Sequence, residues 1–357
     1  MSTSSRQGYS KLEGLFSKYY SKAKLEPPDD LPEREVALQT FSGVMIRHLA
    51  VRSVEELRKI VIEKKGAHLF VSTASYEDPG APSMDEKGWK RADLQFDIDV
   101  DHFEGCKGDY KICKDEVVPV NEDCEGKVIG IVPERCIERG FEEVKKLEKV
   151  LKKYLSIENF EIHFSGNRGF HLIARGTPYD FEGSDLRREI VDFVTGNLFD
   201  LGKICIKSNC VIPKSWEPGW RGRLGEALEL MLPSGLKTWS EVDDPKGVLE
   251  RAFELAKVDV DEQVTVDTSR LLRVPGSLHG KSGLRVVKVY SNFSYGPHLS
   301  PFHGLETYVQ AKYSIDMKVF GERIVLSKGE KASFDGAIGV MLALRGLVEL
   351  IDYRAPT

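Results

Sequence analysis

One short segment with strict alternation of apolar and polar residues constrains the fold more than any other part of this chain. The segment is "ADLQFDIDVDHF", residues 92–103. Its apolar positions are Leu94, Phe96, Ile98 and Val100, and its polar positions are Asp93, Gln95, Asp97, Asp99 and Asp101. Successive side chains of a β-strand point to opposite faces of the sheet, so each set shares one face. The pattern predicts a strand with one face buried against a core.

Asp97 and Asp99 would present two carboxylates side by side on that strand, about 6 to 7 Å apart. Mg²⁺ and Mn²⁺ favour carboxylate oxygens and keep coordination positions for substrate phosphates. The alternative is an edge strand with a solvated acidic face. Four acidic residues on one face would repel one another unless water, cations or a basic partner relieved the repulsion. The pattern therefore favours a cation site at Asp97 and Asp99.

A second segment, "NFEIHFSGNRGFHLIARG" at 159–176, is typical of a β-hairpin around a glycine-containing turn. Gly166 and Gly169 would let the backbone approach an anion, and free N–H groups in such a turn can bind it. Arg168 offers a forked donor geometry that suits phosphate. His171 could donate to a phosphate oxygen, and Ser165 lies at the start of the turn. Hairpin turns often use Gly and Asn, so a purely structural turn remains an alternative.

A third segment, between 259 and 279, combines further carboxylates with basic residues. Asp259 and Asp261 come first, and Arg270, Arg273 and His279 follow. The segment predicts a third carboxylate and a second group of phosphate-binding cations. Ordinary surface charge is the alternative.

Four cysteines, Cys106, Cys113, Cys124 and Cys136, fall within the predicted loop 104–136. Four thiolates this close in an intracellular protein indicate a tetrahedral Zn²⁺ site with a structural role, although no C-x-x-C pair is present. His102 is an alternative ligand. The loop is predicted to be a zinc-binding loop.

The length of 357 residues allows about two domains. Helices are predicted at 9–24, 53–65, 137–154 and 334–350, and strands at 32–42, 67–73 and 284–290. Residues 183–256 are mostly helical in pattern. We therefore predict an α+β fold, with a mixed sheet domain formed by 1–182 and 257–357 and interrupted by a helical insertion subdomain at 183–256.

Charge and hydropathy exclude some classes of protein. The chain has 51 Lys and Arg against 56 Asp and Glu, a net charge of −5. This argues against a protein that coats nucleic acid by bulk electrostatics, but allows a local basic cleft. The best apolar run, 336–350, is interrupted by Arg345 and falls short of the roughly 18 to 20 residues that cross a bilayer. No signal peptide is evident, so we expect a cytoplasmic protein without membrane contact.

Taken together, the three segments resemble the catalytic small subunit of archaeal and eukaryotic DNA primase. Members of that family carry an Asp-x-Asp strand, here "FDIDVDH" at 96–102, and a Ser-Gly-x-Arg-Gly-x-His hairpin, here 165–171. A third metal-binding Asp precedes a stretch similar to "LLRVPGSLH" at 271–279. Segments "REVAL" at 34–38 and "MIRH" at 45–48 resemble earlier parts of the family.

The resemblance implies a role for each matched residue. Asp97 and Asp99 match the paired metal ligands, and Asp261 best matches the third, with Asp259 as the alternative. The residues that match nucleotide contacts are Arg47, Ser165, Gly166, Arg168, His171, Arg270, Arg273 and His279. At Asn167 eukaryotic relatives have a second arginine, which weakens any role of position 167 in phosphate contact. The family usually carries a zinc knuckle where the four cysteines lie.

The activity implied is two-metal nucleotidyl transfer with Mg²⁺ or Mn²⁺, in which primers are started de novo on single-stranded DNA from nucleoside triphosphates. A larger primase subunit is the expected partner, because an acidic chain would bind template weakly by itself. Two alternatives remain open. One is a primase-polymerase of repair or end joining, and the other is a catalytically inactive zinc-containing nucleic-acid-binding subunit.

Overall fold

A computed structural model describes residues 3–207 and 209–355 of the chain. The helices are α1 (Thr3–Tyr20), α2 (Val54–Glu63), α3 (Glu134–Leu155), α4 (Ser184–Thr195), α5 (Gly219–Met231), α6 (Pro245–Ala256), α7 (Glu262–Val266) and α8 (Gly336–Leu344). The strands are β1 (Arg34–Thr40), β2 (Met45–Leu49), β3 (Gly66–Tyr76), β4 (Trp89–Ala92), β5 (Leu94–Asp99), β6 (Tyr110–Cys113), β7 (Glu116–Pro119), β8 (Lys127–Val128), β9 (Phe160–Phe164), β10 (Gly169–Ala174), β11 (Leu271–Arg273), β12 (Val287–Val289), β13 (Glu306–Ala311), β14 (Ser314–Val319), β15 (Glu322–Leu326), β16 (Lys331–Asp335) and β17 (Val348–Arg354). The mixture of helices and sheets agrees with the predicted α+β class.

The alternating segment forms β5, in a sheet with strand order β12-β9-β10-β5. Leu94, Phe96 and Ile98 are buried, as the alternation predicts. Helix α3 contacts both β5 and β10 on this apolar side. Its own buried stripe runs along one face of the helix and includes Val144 and Leu147. The apolar face of the strand is therefore covered by a helix, and the carboxylates of Asp97 and Asp99 are left on the opposite face.

A second sheet has the order β11-β3-β1-β2, with β4 also paired to β3. Helix α2, which contacts β3, begins where its sequence predicts, because the Ser53 side chain accepts a hydrogen bond from the Glu56 backbone N–H at 3.2 Å. Strand β11 pairs antiparallel with β3, with Arg273 opposite Phe70. This pairing fixes the third sequence segment to the edge of the second sheet.

Residues 184–256 contain α4, α5 and α6 together with a separate apolar cluster. Trp220, Leu224 and Trp239 are among its buried members, and the cluster is distinct from the large core that covers most of the remaining chain. The helical character predicted for this stretch is present. The boundaries predicted for the insertion subdomain remain a prediction.

Three local predictions were wrong. The segment 104–136 is more regular than a loop, because β6, β7 and β8 pair there and β7 runs parallel to β14. The predicted final helix 334–350 ends at Leu344, after which Gly346 adopts a φ of 76° and β17 pairs with β13. The predicted strand 284–290 is reduced to β12, Val287–Val289.

Among the residues described, no helix combines the length and the apolar character that a bilayer crossing requires.

Candidate active site

Asp97 and Asp99 lie on the same face of β5, each opposite a residue of the predicted hairpin. In the antiparallel ladder, His171 is the partner of Asp97 and Gly169 is the partner of Asp99. Both aspartates are half-buried. Strand β5 ends directly after them, because Val100 begins a single helical turn in which Asp99 accepts a hydrogen bond from the Asp101 backbone N–H at 3.4 Å. The ladder thus brings the first two sequence motifs together.

Burial and mutual repulsion make the charged forms of these carboxylates costly. Burial, and then the charge of Asp99, raise the pKa of Asp97 to about 7, against the opposing effect of Arg273. Burial also raises the pKa of Asp99, although Arg168 acts in the opposite direction. Neighbouring carboxylates held at such a cost are typical of a site that binds cations or performs chemistry.

Asp261 is the candidate third aspartate that is bound to this strand through its backbone. Its backbone N–H donates to the carbonyl oxygen of Asp97 at 2.8 Å, and its charge is among the causes that raise the pKa of Asp97. Its carboxylate caps α7 by accepting from the Gln263 N–H at 3.0 Å. Asp259 is more exposed, and its backbone N–H is bound by the Glu143 carboxylate at 2.9 Å. Asp99, Asp259 and Asp261 line one cleft, which His102 also lines.

The hairpin 165–171 forms as predicted, between β9 and β10. Arg168 reaches back to the first motif, with its Nε 3.1 Å from Asp99 and a terminal nitrogen 2.7 Å from Asp101. His171 is buried, with Nε2 3.6 Å from Asp97 and no hydrogen-bond partner for Nδ1 among the described residues. Burial, followed by the charge of Arg273, lowers the pKa of His171 to about 3, so its ring is neutral near pH 7. A guanidinium that contacts two carboxylates and a neutral imidazole therefore lie at the same strand end.

Ser165 stabilises the turn of the hairpin, and Gly166 contacts the segment that follows β11. The Ser165 N–H donates to the Gly169 carbonyl at 2.9 Å, and Gly166 has a φ of 82°, which favours glycine. The Ser282 hydroxyl donates to the carbonyl of Gly166. A Cβ added to Gly166 would lie 3.0 Å from the Cβ of His279. The hairpin turn and the segment after β11 are thus in direct contact.

Arg273 acts on the charge of Asp97, and His68 contacts both Arg273 and His279. The Nε of Arg273 donates to Nδ1 of His68 at 3.2 Å, and the guanidinium lies 5.3 Å from the centre of the Phe70 ring. The rings of His68 and His279 meet edge to face, 4.7 Å apart. Burial lowers the pKa of Arg273 to about 10, against the attraction of Asp97, so the guanidinium stays charged near pH 7. His68 was missed by the sequence reasoning, because no local pattern around position 68 indicates a contact with residue 273.

Two of the predicted nucleotide-binding arginines have other partners. Arg47 pairs with the buried carboxylate of Glu35, with its Nε 2.9 Å from Oε1. Arg270 pairs with Asp267, whose Oδ2 lies 3.2 Å from Nε. Neither arginine lies within ion-pair distance of Asp97 or Asp99 among the described residues. Their predicted roles remain predictions.

Asp97, Asp99 and Asp261 fit a divalent cation by chemistry, because carboxylate oxygens are the preferred ligands of Mg²⁺ and Mn²⁺. The cost of burying neighbouring carboxylates is the observation that favours such an ion. In the ranges 3–207 and 209–355, however, no three side chains of His, Cys, Asp or Glu are arranged to hold a metal ion together. Asp261 lies at the strand through its backbone, while its carboxylate serves as the helix cap.

The four cysteines lie in two close pairs. Cys106 is paired with Cys136 and Cys113 with Cys124, with Cα–Cα distances of 5.8 and 6.3 Å. A tetrahedral zinc site needs four thiolates around one point. The predicted zinc site at these cysteines remains a prediction.

Comparison with known proteins agrees with the resemblance seen in the motifs. The family model described as "DNA primase small subunit" matches residues 96–291. Proteins named "DNA primase small subunit PriS" from Sulfurisphaera tokodaii, Sulfolobus acidocaldarius and Saccharolobus solfataricus are 33%, 34% and 34% identical to this chain. These matches cover 95%, 96% and 96% of this chain and 96% of each relative.

One solved structure, "Polymerase Domain from Mycobacterium tuberculosis Ligase D in complex with DNA", is 11% identical with a TM-score of 0.39. It covers 78% of this chain and 80% of its own, and at this similarity it supports no argument about the site. The family model spans all three motifs, and relatives at 33% identity match nearly the full chain. This chain belongs to the DNA primase small-subunit family.

Proposed function

We propose that this chain is the catalytic subunit of a DNA primase, which joins nucleoside triphosphates into short primers on single-stranded DNA. The observation that carries the proposal is the ladder of β5 and β10. It sets the carboxylates of Asp97 and Asp99 directly beside Arg168 and His171. Such a site combines oxygen ligands for cations with a fixed positive charge for phosphates, the two requirements of phosphoryl transfer.

In the proposed reaction, a 3′-hydroxyl oxygen attacks the α-phosphorus of an incoming nucleoside triphosphate. A new O–P bond forms, the α–β phosphoanhydride bond breaks, and pyrophosphate leaves with its electron pair. The proton of the hydroxyl passes to solvent. In initiation the attacking hydroxyl belongs to a second nucleotide.

Asp97, Asp99 and Asp261 would hold Mg²⁺ or Mn²⁺. When bound, these ions would supply activation of the 3′-hydroxyl and stabilisation of negative charge on the phosphates. Because Asp261 already binds the strand through its backbone, only its side chain would have to change partner for its carboxylate to join the other two.

The basic residues of the chain would bind and orient the triphosphate. Arg273 remains charged and approaches the aspartates from β11, and Arg168 approaches them from the turn before β10. Neutral His171 and His279 would contribute ring hydrogen bonds without adding charge. Ser165 and the glycine turn would offer donors to the phosphate oxygens. Arg47 and Arg270 are proposed as more distant contacts of the nucleotide.

A larger primase subunit is the proposed partner, because the net charge of −5 gives this chain little general attraction for a DNA template. We propose RNA primers as a product, and DNA primers as a second product.

The proposal is tested by measuring dinucleotide formation on single-stranded DNA with nucleoside triphosphates and either Mg²⁺ or Mn²⁺. We expect synthesis by the unmodified chain, and no synthesis by the double variant Asp97→Ala/Asp99→Ala with its fold retained. Full activity of that variant would contradict the catalytic assignment. A strict need for a pre-annealed primer would instead favour the repair or end-joining polymerase.

A further inference from the structure

Arg345 extends from the end of α8 to the tip of the hairpin 165–171. One terminal nitrogen donates to the Asn167 Oδ1 at 2.6 Å, and the other donates to the carbonyl oxygen of Ile129 at 3.2 Å. The Nε of the same guanidinium is buried and has no hydrogen-bond partner among the described residues. The side chain is thus fixed at the hairpin tip by neutral groups, with its positive charge uncompensated there.

Arg345 and Arg168 reach the same small region of space. A Cβ placed on Gly130 would lie 3.3 Å from a terminal nitrogen of Arg345 and 3.7 Å from one of Arg168. Arg168 is paired with Asp99 and Asp101 on its other side. The two guanidinium groups therefore flank a common position, although only one of them has carboxylate partners.

Lys281 lies next to this cluster, because its backbone N–H donates to Nδ1 of His279 at 3.2 Å and His279 packs against Gly166 of the hairpin. Its pKa is lowered by partial burial and then by the positive charges of Arg345, Arg168 and Arg273. Burial, together with the charge of Arg168, likewise lowers the pKa of Arg345 to about 10. Among the described residues, neither Arg345 nor Lys281 has a carboxylate within 4.0 Å. Cations that repel one another, with no acidic partner, are stabilised by an anion.

We propose that Arg345, supported by Lys281, binds the terminal phosphates of the incoming nucleoside triphosphate, an inference that rests on the proposed function. Asn167 acts as its positioning residue. Its Oδ1 accepts from Arg345, and its Nδ2 forms no hydrogen bond among the described residues, which leaves that donor for a phosphate oxygen. A planar guanidinium is well suited to bind phosphate oxygens in a bidentate manner.

The experiment compares binding of a triphosphate and a monophosphate by the full chain. A fluorescent methylanthraniloyl derivative of ATP is the probe, and unlabelled ATP and AMP compete with it at fixed Mg²⁺ concentration. Arg345→Gln removes the charge and replaces the guanidinium with a shorter neutral amide that can still donate a hydrogen bond. We expect ATP to bind at least about tenfold more weakly to this variant, because a charge-assisted contact is lost. AMP should bind within about twofold of its original affinity.

Arg323→Gln is the matched control, because Arg323 is exposed and paired with Asp316 on the hairpin of β14 and β15. It should leave both affinities unchanged. In the background of Arg345→Gln, the substitution Asn167→Arg should restore most of the ATP affinity by placing a guanidinium at the hairpin tip.

Equal loss of ATP and AMP affinity, or no loss of either, would overturn the proposal. Failure of Asn167→Arg to restore ATP binding would also count against it. The thermal unfolding midpoint of each variant is also measured, so that weaker ATP binding caused by unfolding is distinguished from weaker binding caused by the lost charge. Dinucleotide synthesis by the unmodified chain is measured in parallel. Triphosphate binding that depends on Arg345 without any dinucleotide synthesis would refute the proposed function and leave this inference standing.

Discussion

The backbone N–H of Asp261 donates to the carbonyl oxygen of Asp97 across 2.8 Å, which ties the cap of a short helix to the strand that carries the paired aspartates. The two residues are far apart in sequence, and α4, α5 and α6 lie between them. Asp259, the other candidate for the third carboxylate, has its backbone N–H bound by the Glu143 carboxylate instead.

The first prediction compares those two candidates directly. Asp261→Asn should lower dinucleotide synthesis at least about 100-fold, because the loss of one charged metal ligand weakens transition-state stabilisation. Asp259→Asn is the matched control and should retain activity within about threefold. Initial rates at saturating nucleotide and Mn²⁺ provide the measurement. A large loss of activity in Asp259→Asn, with little loss in Asp261→Asn, would assign the third ligand to Asp259.

The second prediction concerns His68 as the positioning residue of Arg273. Burial, followed by the charge of Arg273, lowers the pKa of His68 to about 3, so a neutral Nδ1 is available to accept from the arginine. His68→Ala should raise the KM for nucleoside triphosphate about 5- to 20-fold, because the guanidinium loses its fixed orientation. A smaller change in kcat is expected.

His68→Gln keeps a hydrogen-bond acceptor and serves as the control for that variant. It should recover a large part of the affinity for the triphosphate. If both variants lose only thermal stability, and their KM values stay at the original level, His68 has a purely structural role.

The third prediction follows from the close approach of β10 to β5 at Gly169. A Cβ on Gly169 would lie 2.5 Å from the carbonyl oxygen of Ile98, closer than real contacts allow. Gly169→Ala should therefore push the two strands apart opposite Asp99 and lower the free energy of unfolding by about 1 to 3 kcal/mol. The rate of dinucleotide synthesis should also fall under conditions where the variant remains folded, because Asp99 and Arg168 lie at this point of the ladder.

Gly183→Ala is the comparison for this variant, because a Cβ at Gly183 would meet nothing within 4 Å. Urea unfolding and dinucleotide synthesis are measured for both. Equal unfolding free energies and equal rates of synthesis for the two alanine variants would show that a methyl group fits between the strands at Gly169.

The fourth prediction concerns the pH dependence of stability at Glu35. This carboxylate is fully buried, with Arg47 at 2.9 Å and Lys87 at 3.4 Å. Burial opposes ionisation, but the hydrogen bonds from Arg47 and His48 prevail and lower the pKa of Glu35. A folded-state pKa below the unfolded value stabilises the fold above about pH 5, and this stabilisation is lost as pH falls through the folded pKa.

Glu35→Gln should therefore destabilise the protein most at pH 7, and the difference from the unmodified protein should shrink as pH falls below about 4. Urea unfolding at several pH values measures this difference. Glu33→Gln alters a surface pair with Lys90 and should change stability little at any pH. A difference for Glu35→Gln that stays constant with pH would contradict the argument.

The sequence predicted the parts of the site that depend on short-range periodicity. Strict alternation located β5, and the glycine-containing turn located the hairpin of β9 and β10. It could not show that the polar face of β5 is largely covered. Asp93 is buried in an ion pair with Arg34 at 2.9 Å, and Gln95 donates to the Val264 carbonyl at 2.9 Å. Such partners come from distant elements, so a period of two alone cannot distinguish a covered polar face from a solvated one.

Contacts between distant elements also explain why the role of Arg345 and the end of α8 were not predicted from the sequence. In the sequence, Arg345 is distinguished only as a charged residue that interrupts an apolar run. Its hydrogen-bond partners Asn167 and Ile129 belong to other elements of the fold, so no local pattern indicates them. The end of α8 was missed because apolar residues resume at Leu347, directly after Arg345 and Gly346, and composition alone does not separate a buried helix from a buried strand.

The pairing of β5 with β10 also limits where the length of this chain can change. A single residue inserted within β5 ahead of Asp97 would exchange the two faces of the strand, directing both carboxylates into the core and the following apolar side chains outwards. Two inserted residues would restore the faces but displace the carboxylates by about 6 to 7 Å along the strand, past His171 and Gly169. Insertions and deletions should therefore be tolerated only outside this ladder, for example in the segment after Asp101.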